Sequence, residues 1–80
     1  MASRMKKEVD TTTYRGRFAV RLTELRTKAK LSVEELSEKS GIPKGTIYDW
    51  ESARYAATID HLLNLAEGLG IKPGKLLPDN

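Results

Sequence analysis

Between Leu31 and Glu51 the chain reads LSVEELSEKSGIPKGTIYDWE, and this stretch leaves little freedom in how it folds. Ser32-Val33-Glu34-Glu35 is a capping box: the Ser32 hydroxyl accepts from the Glu35 amide while the Glu35 carboxylate reaches back to the Ser32 amide. The two glutamates also stand at the positive end of the helix dipole. A helix therefore starts at Val33, anchored inward by Leu36. It stops at Gly41, which supplies the left-handed residue of a helix C-terminus. Pro43 suits the first turn of a new helix, where its missing N–H loses nothing. In that helix Ile47 and Trp50 point one way, and Lys44, Gly45, Tyr48, Asp49 and Ser52 point the other.

Helical spacing continues on both sides. Phe18, Leu22, Leu25 and Ala29 form one stripe of a first helix that begins near Thr13. Gly16 falls in its first turn and is expected to weaken that end, and Leu31 is expected just outside the helix, packed beneath it. Thr58 is a good N-cap for a further helix. Ile59, Leu62, Leu63, Ala66 and Leu69 give that helix its expected apolar face, and Gly70 ends it. A short turn around Pro73–Leu77 is expected to bring Leu76 and Leu77 down as a lid. No alternating strand pattern or internal repeat is present. The expected fold is all-α, a compact bundle of about five helices over residues 13–78, with a helix-turn-helix at about 32–52. Residues 1–12, rich in charge and threonine, are expected to form a flexible basic arm.

Composition narrows the function classes. Eighty residues make one domain, and the absence of cysteine rules out disulfides and thiolate metal sites. The single histidine, His61, has no second ligand at helical spacing and is expected on the exposed face of its helix. Glu34, Glu35 and Glu38 share a helix end, where capping and the dipole account for them. No enzyme activity, metal or cofactor is expected. No apolar run approaches the roughly 18–20 residues that span a bilayer, and the N-terminus lacks the apolar segment of a secretory signal. The expectation is a cytoplasmic protein with no membrane contact. Charge is unevenly spread: residues 1–31 hold nine Lys/Arg against three Asp/Glu, and residues 32–80 hold five against eight. A basic N-terminal half is either an electrostatic footprint for a polyanion or a solvated helix face.

The segment quoted above, followed by TIDHLLNLAEGLGIKPGKLL, closely resembles the Cro/lambda-repressor-like (XRE-type) helix-turn-helix family. The resemblance covers about Arg17 to Leu77 without gaps. It implies a sequence-specific, DNA-binding transcriptional regulator of bacterial or phage type, such as a repressor, with the helix at about 44–52 entering the major groove of double-stranded DNA. It implies DNA contacts from Lys44, Gly45, Thr46, Tyr48, Asp49 and Ser52, from Arg54 in the following loop, from Ser32 and Val33, and from Arg17 and Arg21. It also implies a partly buried ion pair between Arg26 and Glu51, and a homodimer on paired half-sites. The fifth helix, the short turn around Pro73–Leu77, and the Tyr55 loop are candidate dimer surfaces.

Several positions depart from that family. Val33 stands where a phosphate-gripping glutamine is usual, Gly45 has no side chain to read a base, and Ala53 replaces a common glycine. Lys44 is either a guanine reader or a phosphate contact. Asp49 either accepts from cytosine N4 or pairs locally with Lys44 or Arg54. Tyr48 either touches a phosphate or sugar or is plain helix surface. Arg15, Arg17 and Arg21, with Arg4, Lys6 and Lys7 of the arm, are the cations left to meet phosphates, so binding is expected to be weaker and more salt-sensitive than in a relative with glutamines on this face. The acidic reading face and the alanine-rich loop SARYAAT support a second reading: a helix-turn-helix scaffold of antitoxin or co-regulator type, acting mainly through a protein partner.

Overall fold

The computed structural model describes residues 9–77. Four α-helices follow one another, α1 (Tyr14–Lys28), α2 (Val33–Ser40), α3 (Lys44–Glu51) and α4 (Ile59–Leu69), and the 3-10 turn Pro73–Leu76 follows α4. The expectation of about five helices is met by four and this turn, and no strand occurs among the described residues. Helix α1 packs on α3 and on the 3-10 turn, and α2 packs between α3 and α4. Phe18, Leu22, Leu36, Ile47, Leu65 and Leu76 are fully buried where these elements meet. Side chains of this size each stabilise the fold by about 1.5–3 kcal/mol when removed from water.

Local chemistry sets each boundary. Thr13, Ser32 and Thr58 cap α1, α2 and α4, each accepting from an amide in the first turn through its hydroxyl. Both halves of the Ser32–Glu35 capping box are formed. Pro43 is the residue before α3, with φ −56° and ψ 140°, and not a member of its first turn. Its extended ψ makes the tight corner after Gly41, whose φ is 77°.

Helix α3 ends on a backbone pair in which the Arg54 amide donates to the Asp49 carbonyl at 2.9 Å and the Ala53 amide to the Trp50 carbonyl at 3.0 Å. This Schellman geometry needs a left-handed residue at its centre, and Ala53 supplies it with φ 64°. A Cβ in that conformation costs roughly 1–2 kcal/mol. Ala53→Gly is therefore expected to stabilise the domain by about 0.5–1 kcal/mol after the unfolded-state entropy of glycine is set against the relief. A rise in the midpoint of thermal unfolding checks it.

Four packing expectations change. On α4 the buried side chains are Leu62, Leu65, Ala66 and Leu69, while Ile59 and Leu63 are 68% and 51% exposed. Helix α4 is turned so that the stripe through Leu65 meets the core. Leu77 is exposed and Leu76 alone closes the end, because the backbone leaves the 3-10 turn in an extended conformation at Leu77. Ala29 is exposed at the C-cap of α1, so that stripe ends at Leu25. His61 is half-buried, its ring 5.0 Å from that of Trp50, because the first turn of α4 crosses the tryptophan.

The expected arm lies outside the described residues through residue 8. Within residues 9–13 the chain makes a turn, in which the Thr12 amide and hydroxyl both donate to the Asp10 carboxylate. Those bonds hold the Asp10 carboxyl below its ordinary range. Their support is present at neutral pH and is lost as pH falls through that lowered value.

Candidate nucleic-acid interface

Helix α3 has two unlike sides. Ile47 and Trp50 are buried at 0% and 2% exposure, and Phe18 meets Trp50 edge-on at 6.3 Å. Lys44, Gly45, Tyr48 and Ser52 are exposed, with Thr46 and Asp49 half-exposed. The helix is thus seated by its apolar side and presents a short polar ridge outward. Its seat is further fixed by Arg26, whose Nε and one terminal nitrogen donate to the two Glu51 carboxylate oxygens at 2.7 and 3.0 Å. The other terminal nitrogen donates to the Leu31 carbonyl at 2.8 Å. One guanidinium therefore ties α1, the α1–α2 loop and the end of α3. The hydrogen bond to Glu51 raises the Arg26 pKa, with burial opposing it.

The ridge is largely compensated in charge. Lys44 Nζ donates to a carboxylate oxygen of Glu34 in α2 at 3.1 Å, and that bond raises the Lys44 pKa. Arg54 Nε lies 4.0 Å from Asp49 Oδ1, so of Lys44 and Arg54 it is Arg54 that stands near Asp49. Arg15 donates to the Arg54 carbonyl at 3.5 Å, bringing the start of α1 to the loop after α3. Tyr48 projects 55% exposed with no hydrogen bond from its hydroxyl among the described residues.

Four of the sequence-derived candidates, Val33, Arg17, Arg21 and Ser32, are engaged within the domain itself. Val33 is 7% exposed and belongs to the core cluster. An aliphatic side chain at the start of α2 turns inward and offers no group to a phosphate. Arg17 and Arg21 are half-exposed, with both Nε atoms buried. Arg17 also donates to the Thr11 carbonyl at 3.1 Å, so its head is engaged with the N-terminal turn. Ser32 is exposed, and its hydroxyl accepts from the Glu35 amide as the capping box requires, leaving its O–H free to donate. The Glu34 partner of Lys44 is not legible in the sequence, where capping and the helix dipole already account for that carboxylate. Only the corner at Gly41–Pro43 brings residues ten apart in sequence together.

Two short helices at a tight corner, the second seated by an Ile–Trp pair and showing a polar outer ridge, define a helix-turn-helix protein. The helix-turn-helix family HTH_3 matches residues 22–76, and the chain belongs to it. It is a DNA-binding regulator of that class. Among solved structures it is similar to the restriction-modification controller protein C.AhdI from Aeromonas hydrophila, with 34% identity and a TM-score of 0.73 over 76% of this chain and 92% of that one. The fold is shared with an HTH_3 family transcriptional regulator from Vibrio cholerae, at 24% identity and a TM-score of 0.76 over 79% of this chain and 35% of that one. It is shared too with the hypothetical transcription factor NHTF from Neisseria, at 22% identity and a TM-score of 0.78 over 95% of this chain and 88% of that one. No curated protein sequence matches significantly. No helix among the described residues is long and apolar enough to cross a membrane.

Proposed function

We propose that this protein is a cytoplasmic, sequence-specific transcriptional repressor that binds a pseudo-palindromic operator as a homodimer, with α3 in the major groove. The seating of α3 carries the reading: Ile47 and Trp50 fix it from below while Lys44, Thr46, Tyr48 and Ser52 face outward. Lys44 is assigned to a guanine edge, where O6 and N7 are acceptors. Tyr48 and Ser52 are assigned to the sugar-phosphate backbone, with Arg54 and Arg15 at its flank. Asp49 is assigned to holding Arg54 and not to a cytosine. Residues 1–12 are proposed as a basic arm ahead of the domain at 13–78, adding phosphate contacts. The similarity to a restriction-modification controller protein supports a regulatory role of that kind. No catalytic role is assigned to any residue.

A homodimer follows from the small reach of one short helix. Its surface is assigned to Tyr55, Ile59 and Leu63, which are 60%, 68% and 51% exposed. Ile59 and Leu63 lie one turn apart on α4, and an isologous contact would cover both at once. Leu63→Asp is expected to convert the dimer to a monomer in sedimentation equilibrium without changing the far-ultraviolet spectrum. An unchanged dimer would remove this surface from the assembly. The reading as a scaffold for a foreign protein partner has no observation of its own, since the same apolar residues are accounted for by self-association.

The test of function is selection of bound duplexes from a random-sequence pool at two salt concentrations. Recovery of paired half-sites about one helical turn apart, persisting at the higher salt, is expected. Enrichment of no sequence at either salt would overturn sequence reading.

A further inference from the structure

We propose that Glu34 is a specificity-determining residue that acts through Lys44, an inference that rests on α3 being the DNA-facing helix. Glu34 is the second residue of α2 and Lys44 the first of α3. Their side chains are 70% and 58% exposed and joined at 3.1 Å. The fold does not require this pair, because Glu35 and not Glu34 completes the capping box. The surface beside Lys44 is open, since a Cβ added at Gly45 would meet nothing within 4 Å. What the pair changes is the charge shown by the adjoining N-terminal ends of the two helices.

That charge bears unequally on specific and random DNA. Attraction to a random duplex comes from net cationic charge brought to phosphates. A lysine held by a carboxylate contributes little to it, and the carboxylate itself is repelled. A guanine edge instead offers two acceptors side by side. An exposed ion pair is weak enough to yield to that edge, whereas one phosphate oxygen is no better a partner than Glu34. Glu34 therefore penalises wrong sites more than right ones, which is the repulsive half of discrimination.

The experiment uses the full chain with Glu34→Gln, Lys44→Gln and the double variant. Binding is measured across a salt series to the duplex selected from the random pool and to a scrambled duplex of the same length. Glu34→Gln is expected to tighten the scrambled duplex about fivefold and the selected one about twofold or less. It is expected to steepen the salt slope on the scrambled duplex by about 0.9. In the Lys44→Gln background the gain is expected to fall to less than half. Equal gains on both duplexes, or the same gain with and without Lys44, would make Glu34 a plain repelling charge and overturn the proposal. No effect of Lys44→Gln on either duplex would instead overturn the placement of α3 at DNA. Unchanged thermal unfolding of all three variants, expected at exposed positions, separates these results from loss of fold.

Discussion

Glu51→Ala is expected to lower the stability of the domain by about 3 kcal/mol, since a largely desolvated charge would lose its partner. The side chains of Arg26 and Glu51 are only 18% and 12% exposed, which separates this pair from the open Lys44–Glu34 contact. Without Glu51, the Arg26 guanidinium keeps the Leu31 carbonyl and loses both fork contacts. For a domain of this size the midpoint of thermal unfolding should fall by roughly 12–24 °C. Glu38→Ala, at an exposed position of α2, is expected to change stability by about 0.5 kcal/mol or less. Equal losses in the two variants would reduce the Arg26–Glu51 pair to a surface contact. Replacing both partners with aliphatic residues should restore much of the loss, because most of it is the cost of stranding the arginine.

Gly16→Ala is expected to destabilise the protein by about 2 kcal/mol, although alanine is the better helix former by about 1 kcal/mol. A Cβ at Gly16 would overlap the Asp10 carbonyl oxygen and lie 2.6 Å from the carbonyl carbon. That carbonyl also accepts from the Thr13 hydroxyl at 3.0 Å, while Thr13 caps α1 through the Gly16 amide. The methyl group can be accommodated only if the turn lifts off the helix. In a chain beginning at Thr13 the obstruction is gone, and the same substitution should stabilise by about 0.5–1 kcal/mol. Urea unfolding of the four proteins measures both effects. The same sign in both backgrounds would show that the turn does not rest on Gly16.

This glycine shows where the sequence stops being informative. Ser32, Glu35, Gly41, Thr58 and Gly70 act on backbone groups within a few residues, so their roles are legible in spacing alone. Ile47 and Trp50 are equally plain, because only one side of α3 is apolar. Gly16 instead answers to a carbonyl in the segment before its helix. On α4, Leu62, Ala66 and Leu69 belong both to a stripe that includes Ile59 and Leu63 and to one that includes Leu65. Only the position of α2 selects the second stripe. The candidate interface follows the same division. Periodicity places Lys44, Tyr48 and Ser52 outward, whereas the partners of Lys44 and Arg54 depend on how the corner and the following loop close.

The seating of α3 also equips the protein with its own optical gauge. Trp50 is the only tryptophan in the chain, is 2% exposed, and sits on the buried side of α3 with the Phe18 and His61 rings on it. Its emission therefore registers how α3 rests on the core and is shielded from whatever touches the outer ridge. A ligand that docks without shifting α3 leaves the signal silent, and one that tilts the helix changes it. Titration with DNA, followed at this single fluorophore, distinguishes rigid docking from adjustment of α3 without adding a label.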